Sequence, residues 1–172
     1  MLKVIGVFLI MIGSSGYGMR LYLDLKEGTW HLRWWIMLLE RVMDEVEHQN
    51  LSLPECICLE LKHASDDYKG MLEEILRKYE MDGRNGISHC FREAVLKRAL
   101  RLPLKKEEKE IITNLLEELP IYNQEMQIKL LNHKKVQLEK CLLDRERELR
   151  EKKKVYTSLG VMGGLLLILI LV

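Results

Sequence analysis

The side chains that most often carry chemistry in proteins, cysteine and histidine, are present but are not spaced as a catalytic or metal site. Cys56 and Cys58 have one residue between them, whereas zinc-binding pairs usually have about two to four. No second pair follows at the spacing of a zinc ribbon. All four cysteines are therefore interpreted as reduced, half-buried helix residues in a reducing compartment: Cys56, Cys58, Cys90 and Cys141.

Other arrangements that could support catalysis are also incomplete. His89 stands beside Cys90, but neighbouring residues on a helix point about 100° apart and do not face each other. The sequence has no G-x-x-x-x-G-K-[ST] phosphate loop, no G-x-S-x-G elbow and no H-E-x-x-H helix. The adjacent glutamates at 73–74, 107–108 and 117–118 indicate solvated helix faces. We therefore expect a protein that is not an enzyme, with no cofactor, metal or small-molecule substrate.

Charge is distributed very unevenly along the chain. Of 172 residues 31% are charged, but the net charge is only +1, which argues against a general nucleic-acid binder. Residues 4–19 and 155–172 carry no charge at all. The second run would be about 27 Å long as a helix, close to the thickness of the hydrocarbon core. The pattern predicts an N-terminal transmembrane helix at 1–23 and a C-terminal one at 155–172.

The N-terminal run has an alternative interpretation as a cleaved signal peptide. Lys3 is a short basic start, and Gly13-Ser14-Ser15 is an acceptable site of small residues for cleavage. Tyr17-Gly18-Met19 keeps the segment apolar beyond that site, which favours a retained anchor. The mass of the mature protein distinguishes the two interpretations.

The positions of lysine and arginine predict how the chain is oriented in the membrane, because basic residues accumulate on the cytoplasmic side. None follows the second run, and many precede it: Lys135, Lys140, Arg145, Arg147, Arg150, Lys152, Lys153 and Lys154. The segment 27–153 is therefore expected in the cytoplasm, with both termini on the far side. Gly160 and Gly164 form a small-xxx-small pair that would let two membrane helices pack closely, although glycine is also common in membrane helices generally.

The segment between the two runs has the periodicity of amphipathic helices. The first stripe, with Thr29 as N-cap, comprises Leu32, Trp35, Ile36, Leu39, Val42, Met43 and Val46. Ser52 is expected to cap the next helix, with Pro54 in its first turn. Further stripes comprise Tyr68, Met71, Leu72, Ile75, Leu76 and Tyr79, then Phe91, Ala94, Val95 and Ala99, then Ile112, Leu115, Leu116 and Leu119. The predicted fold class is an all-α membrane protein with a helical bundle between two transmembrane helices.

The last helix is predicted to run from about Ile121 to Lys154 and on into the second span. Its heptad seam comprises Ile121, Ile128, Leu131, Leu138, Leu142 and Leu149. Gln124, Lys135 and Arg145 interrupt that seam. Packing along a helical bundle is therefore favoured over a solitary coiled coil.

Two groups of residues are candidates for contact with the membrane surface. Trp30 and Trp34 follow the first span and point away from the stripe that contains Trp35, so they could contact lipid headgroups or a partner. Ordinary packing within the bundle is the alternative. The basic run at Arg150, Lys152, Lys153 and Lys154 could bind headgroups, or it could be the solvated face of a helix close to the membrane.

The order of several short motifs resembles the stage III sporulation protein AB family of endospore-forming Firmicutes. These motifs are Met1–Gly6, His31-Leu32-Arg33 through Leu38-Leu39-Glu40, Leu51-Ser52-Leu53-Pro54-Glu55, and Lys154-Val155-Tyr156 leading to Gly163-Gly164. The chain departs from the family at Leu119–Asn123, where a Leu-Gly and an Asp are usual. The likeness covers nearly the whole chain.

The resemblance implies a function that periodicity and composition do not. It implies a component of the secretion-like channel complex that joins mother cell and forespore, located in the mother-cell or outer forespore membrane. It also implies that residues 27–153 resemble the domain of the type II secretion platform protein. The expected role is a non-enzymatic scaffold that docks a cytoplasmic ATPase or other subunits of the complex. The alternative is a membrane-surface protein that binds lipid through its basic run.

Overall fold

The computed structural model describes residues 2–49, 51–82, 87–118 and 123–171. Within these ranges, the side chains of 2–18, 21, 53, 82, 87–91, 116–118, 154 and 156–171 lie outside the description. The described residues form six helices and no strand, so the predicted all-α fold is confirmed. They are α1 (Leu2–Gln49), α2 (Leu53–Leu61), α3 (Asp66–Asp82), α4 (Ile87–Arg101), α5 (Lys106–Glu118) and α6 (Gln124–Leu171).

Helix α1 is continuous where the sequence predicts a new helix with Thr29 as its N-cap. That prediction is wrong, because the hydroxyl of Thr29 donates to the carbonyl oxygen of Leu25 at 2.8 Å, one turn earlier in the same helix. A threonine that bonds back to residue i−4 is satisfied inside a helix. Thr29 is also buried, so it does not interrupt α1.

Helix α6 is continuous to Leu171, as predicted, but it begins later than predicted. Its first residue is Gln124, and Ile121 lies outside the described residues. The side-chain oxygen of Asn123 accepts a hydrogen bond from the backbone N–H of Met126 at 3.0 Å. This is the geometry of an asparagine N-cap, which fixes the start of the helix at Gln124.

The chain divides into two compact units, of which the larger, His31–Leu142, is here called the helical unit. Helices α2, α3, α4 and α5 pack in chain order, each against the next. The α1 and α6 segments run antiparallel within this unit, since Lys135 pairs with Glu40 at 2.7 Å and Gln124 donates to the carbonyl of Val46. One core joins all six helices and includes Leu32, Trp35, Leu39, Val42, Val46, Cys56, Tyr68, Leu72, Ile75, Val95, Ile112, Leu115, Leu131 and Leu138.

The predicted stripes largely coincide with this core. On α1 every residue of the stripe is buried except Met43, which is half-buried. On α3 the first four stripe residues are buried, and Leu76 and Tyr79 pack against them as half-buried side chains. Phe91, Leu116 and Leu119 lie outside the description. The period of about 3.6 residues is therefore a sound guide to which side of each described helix is buried.

The second unit comprises Met1–Trp30 and Leu143–Val172. Its buried described side chains include Leu25, Thr29 and Arg145. Within the residues described, no helix contains a stretch both long and apolar enough to cross a membrane. The two uncharged runs lie almost wholly at positions whose side chains are outside the description.

The start of α2 has the predicted serine cap. Glu55 Oε2 accepts hydrogen bonds from the backbone N–H of Ser52 at 2.8 Å and from its hydroxyl at 2.6 Å, and Pro54 lies in the first turn. Ser52→Ala is expected to destabilise the helical unit by about 1 kcal/mol, because the serine contribution to the cap is lost. Urea unfolding of the full chain in mild detergent measures this. Asn114→Ala, at an exposed position within α5, is the comparison; an equal loss in both variants would contradict a specific role for the cap.

Candidate functional site

Tyr68, in the first turn of α3, is the centre of a buried aromatic cluster. Its ring stacks on Trp34 with centroids 3.4 Å apart and meets the edge of Trp35 at 5.9 Å. Its hydroxyl shares a hydrogen bond with Nδ1 of His31 at 2.8 Å. Tyr68 is fully buried, and the three α1 side chains are nearly so. The cluster therefore fixes α3 against the middle of α1.

A charged residue of α4 completes this cluster. The guanidinium of Arg98 lies 5.6 Å from the centre of the Tyr68 ring, within cation–π range, and its Nη2 pairs with Asp67 at 2.7 Å. Burial raises the pKa of the Tyr68 phenol, although the charge of Arg98 opposes that effect. The phenol therefore stays neutral at physiological pH, and its hydroxyl takes part in the hydrogen bond with His31.

A second polar group joins α1 to α2 around Cys56. Burial, followed by a hydrogen bond to Glu45, raises the pKa of the Cys56 thiol to about 12. Burial also raises the pKa of Glu45, and the nearby charge of Glu60 adds to that shift. Because the thiolate is the nucleophilic form of cysteine, a thiol with this pKa is unreactive near neutral pH. Cys56 is a packing residue, as predicted, and it is free.

Ion pairs place α1 between α2 and α6. Nη2 of Arg41 lies 2.7 Å from Oε2 of Glu60, whose side chain is only 3% exposed. On another face of α1, Lys135 of α6 pairs with Glu40 at 2.7 Å, and that contact raises the pKa of the Lys135 ammonium. Lys135, which interrupts the heptad seam in sequence, thus serves as an interhelical contact.

Helices α3 and α4 are joined at their outer surface by a network of four charges. Glu93 accepts from Lys78 and from Lys97, the latter at 3.0 Å, and Lys97 also lies 3.4 Å from Glu74. The two hydrogen-bonded ammonium groups lower the pKa of Glu93 to about 2. The network therefore joins α3 to α4 through contacts of Lys78 and Glu74 with Glu93 and Lys97.

The low pKa of Glu93 predicts an acid-dependent loss of stability. Its contribution is complete above the ordinary glutamate pKa of 4.5 and disappears as the pH falls towards about 2, because protonation breaks both contacts. Glu93→Gln is therefore expected to lower the urea midpoint at neutral pH and to match the unmodified chain near about pH 2. Glu80→Gln, exposed on α3, is the control. A deficit that persists unchanged into acid would contradict the ion-pair explanation.

The predicted membrane-surface residues of α6 lie close together in the part of that helix that belongs to the second unit. Arg150 and Lys153 are exposed and Lys152 is half-buried, whereas Lys154, Gly160 and Gly164 lie outside the described side chains. An open groove of about 380 Å³ is lined by Arg147, Arg150, Glu151 and Lys153. Its lining carries three positive charges and one negative charge, which is suited to an anionic group.

The two tryptophans predicted at the membrane surface have different environments. Trp30 is 46% exposed, and its role at a surface stays a prediction. Trp34 is 6% exposed and stacks on Tyr68, so the surface prediction is wrong for this residue and the packing alternative holds. Periodicity places Trp34 off the main stripe, but α1 is covered on a second side by α3, which the pattern of α1 alone does not reveal.

The other residues considered for chemistry do not form a site among the described residues. Glu73 and Glu107 are exposed as expected, but Glu108 is 1% exposed, and its carboxylate accepts the backbone N–H of Lys105 at 2.6 Å. The solvated-face prediction is therefore wrong for Glu108, which satisfies the first turn of α5. His89 and Cys90 fall outside the described side chains. In the described part of the chain no group of three His, Cys, Asp or Glu residues could hold a metal ion.

Comparison with known proteins gives one family. The sequence model of the family described as stage III sporulation protein AB matches residues 3–172. No curated protein and no solved structure matches the chain significantly. The match spans both units, including the two uncharged runs at the ends.

Proposed function

Because this chain belongs to the stage III sporulation protein AB family, we propose that it is a non-enzymatic membrane scaffold of the sporulation secretion-like complex. Its helical unit docks a cytoplasmic ATPase or other subunits of that complex. The observation that carries the proposal is the family match over residues 3–172, which assigns the chain to stage III of sporulation. The packing of the helical unit supports a binding role.

The chemistry of the helical unit favours binding over catalysis. Several of its buried polar groups join neighbouring helices: Tyr68 contacts His31, Arg41 pairs with Glu60, and Cys56 bonds to Glu45. Catalytic groups usually have pKa values moved towards the working pH; the pKa values of the thiol and the phenol here are moved away from it, although burial raises the pKa of Glu45 towards it. A bundle whose helices are joined by such contacts is suited to presenting a surface to other proteins.

Membrane attachment is proposed from the sequence. The uncharged runs at 4–19 and 155–172 would serve as the anchors, and the lysines and arginines before the second run favour a cytoplasmic location for the helical unit. A cytoplasmic location on the mother-cell side would bring that unit within reach of a soluble motor. Reporter fusions at both termini and within the helical unit test this orientation.

Affinity purification of the tagged full chain from sporulating cells tests the scaffold role. Mass spectrometry is expected to identify other stage III proteins, including the ATPase of the complex. A chain that lacks residues 31–142 but keeps both uncharged runs is the matched control, and it should lose the ATPase. Recovery of no other complex member with the intact chain would count decisively against the proposal.

A second candidate function, binding to an anionic membrane surface, is favoured by the groove at Arg147, Arg150 and Lys153. Clustered basic side chains close to a membrane attract acidic headgroups, and salt weakens that attraction. A fragment of residues 27–153 would then float with anionic vesicles at low salt and be released at high salt. Charge reversal at Arg150 and Lys153 should abolish flotation, whereas reversal at Lys69 and Arg77, which are exposed on α3, should not.

A further inference from the structure

Helix α4 exposes two leucines, although its main apolar side is already packed against the core. Leu96 and Leu100 are 38% and 65% exposed, whereas Ala94, Val95 and Ala99 are buried in the core. Residues four apart lie on the same face of a helix, so the two leucines form one outward apolar strip. Single exposed leucines are ordinary in soluble proteins, and the charges around this pair are what make the surface distinctive.

The segment that contains these leucines, from α4 to the start of α5, is strongly basic. Residues 92–106 include six basic side chains and one acidic side chain, for a net charge of +5, although the whole chain has a net charge of +1. Arg92, Lys97 and Arg101 are exposed on α4. The one acidic residue, Glu93, is neutralised by its contacts with Lys78 and Lys97.

A neighbouring helix adds a further positive charge at the same place. Nζ of Lys109, on α5, donates to the carbonyl oxygen of Leu100 at 3.4 Å, so its ammonium lies at the C-terminal end of the strip. Arg98 belongs to the same helix as Leu100 but turns inward to Tyr68 and Asp67. We call the surface formed by Arg92, Leu96, Leu100, Arg101 and Lys109 the α4 patch; Lys97 is left out because it pairs with Glu93 and Glu74.

We propose that the α4 patch docks an acidic segment of a partner protein, with apolar side chains on the two leucines and carboxylates at the surrounding cations. The inference rests on the proposed docking function and names the surface and partner chemistry for it. Charge complementarity favours an acidic occupant, because Arg92, Arg101 and Lys109 around the two leucines are positively charged. An apolar centre with a polar rim is also the usual anatomy of a protein interface. Arginine binds carboxylates in a bidentate geometry and is enriched at binding hot spots.

A lipid surface fits the α4 patch less well. A helix that lies on a membrane inserts its main apolar face among the acyl chains. In α4 that face comprises Ala94, Val95 and Ala99, and it is buried against the rest of the helical unit. Only two leucines remain exposed on α4. Their apolar surface is small for insertion into a membrane, but it is sufficient for the centre of a docking site.

Site-specific cross-linking of the full chain in sporulating cells tests the proposal. Leu100 is replaced by a photo-reactive amino acid; in a control chain Met81, 73% exposed on α3, is replaced instead. The expected result is a cross-link from the first position to a protein segment rich in Asp and Glu, and none from the second. The double change Arg92→Glu and Arg101→Glu should lower the yield roughly tenfold or more.

Matched controls separate a local effect from misfolding. Arg77→Glu combined with Lys69→Glu reverses two exposed charges on α3 and should leave the cross-link unchanged. All four side chains are exposed, and urea midpoints of both double variants are compared with that of the unmodified chain, so that a cross-link lost at an unchanged midpoint is assigned to the patch. Cross-linking of Leu100 to lipid, to a second copy of this chain or to nothing would overturn the proposal.

The same variants distinguish failure of the α4 patch from failure of the scaffold role. If the intact chain recovers complex members and the Arg92→Glu, Arg101→Glu chain recovers them equally, the patch is refuted and the scaffold stands. If the intact chain recovers no complex member, but Leu100 cross-links to an acidic protein outside the complex, the scaffold is refuted and the patch stands.

Discussion

Tyr68→Ala is expected to destabilise the helical unit by about 3–5 kcal/mol, the range for removal of a large buried aromatic side chain. Tyr68 is fully buried, stacks on Trp34 with centroids 3.4 Å apart and bonds to His31 at 2.8 Å. Its loss leaves a cavity where α1, α3 and α4 meet. Urea unfolding of the full chain in mild detergent, followed by tryptophan fluorescence, measures the effect because all three tryptophans lie on α1 at 30, 34 and 35.

Two further variants separate the contributions of the Tyr68 ring and its hydroxyl. Tyr68→Phe keeps the stacked ring and removes the hydroxyl with its hydrogen bond to His31, so a smaller loss of about 1–2 kcal/mol is expected. Tyr79→Ala removes a half-buried ring near the other end of α3 and should also cost less than Tyr68→Ala. Equal losses at 68 and 79 would contradict a central role for the cluster.

The apolar pattern of the sequence predicts the helices because burial repeats with the period of the helix itself. The spacing of Tyr68, Met71, Leu72 and Ile75 assigns them to one face, and all four are buried. Local chemistry identifies Ser52 as a cap, and its contact with Glu55 spans only three residues. Both features, a buried stripe and a helix cap, follow from residues that lie within a few positions of one another in the sequence.

The errors arise where a residue type is compatible with two environments and the apolar pattern does not distinguish between them. Thr29 is a good N-cap residue, but its hydroxyl is satisfied by Leu25 within a continuous helix. Glu108 has the sequence context of a solvated glutamate, but its carboxylate binds the backbone of Lys105. Trp34 lies off the stripe of α1 and is buried by α3. In each case the residue type is compatible with the expected and with the observed environment, and the contact with a particular partner determines which one occurs.

The interhelical polar contacts are the least predictable part of the candidate site. Arg98 reaches Asp67 across 31 residues of sequence, and His31 reaches Tyr68 across 37. No spacing rule relates such pairs, because the turns between helices set their geometry. The functional assignment rests instead on the order of short motifs along the chain, and the family match over 3–172 confirms that resemblance.

Arg41→Met is expected to destabilise the helical unit by about 2–3 kcal/mol. Glu60 is 3% exposed and pairs with Arg41 at 2.7 Å, so the substitution leaves a buried carboxylate without its cation. Breaking a fully buried pair typically costs ~3–5 kcal/mol; the expected loss is smaller because the Arg41 side chain is 40% exposed and solvent screens its charge. Urea midpoints of the full chain in mild detergent measure the loss.

The stability lost in Arg41→Met is expected to depend on pH, and the direction of that dependence follows from Glu45. Burial raises the pKa of Glu45, the charge of Glu60 adds to the shift, and Arg41 opposes it. Without Arg41 the two carboxylates repel more strongly, so the pKa of Glu45 should rise further. A raised folded-state pKa means that the penalty is present when the group is ionised and is relieved by protonation. The deficit of Arg41→Met should therefore shrink as the pH falls through the acidic range.

The double variant Arg41→Met, Glu60→Met decides whether the pair stabilises the fold or only avoids an unpaired charge. Replacing both partners of a buried pair by apolar side chains is often neutral or stabilising, because two desolvation costs are removed together. We expect the double variant to recover most of the stability lost in Arg41→Met, with a coupling energy of about 2 kcal/mol. Simple addition of the two single losses would contradict direct coupling between Arg41 and Glu60. Recovery of stability in the double variant would mean that the Arg41–Glu60 pair mainly sets the alignment of α1 with α2 and adds little net stability.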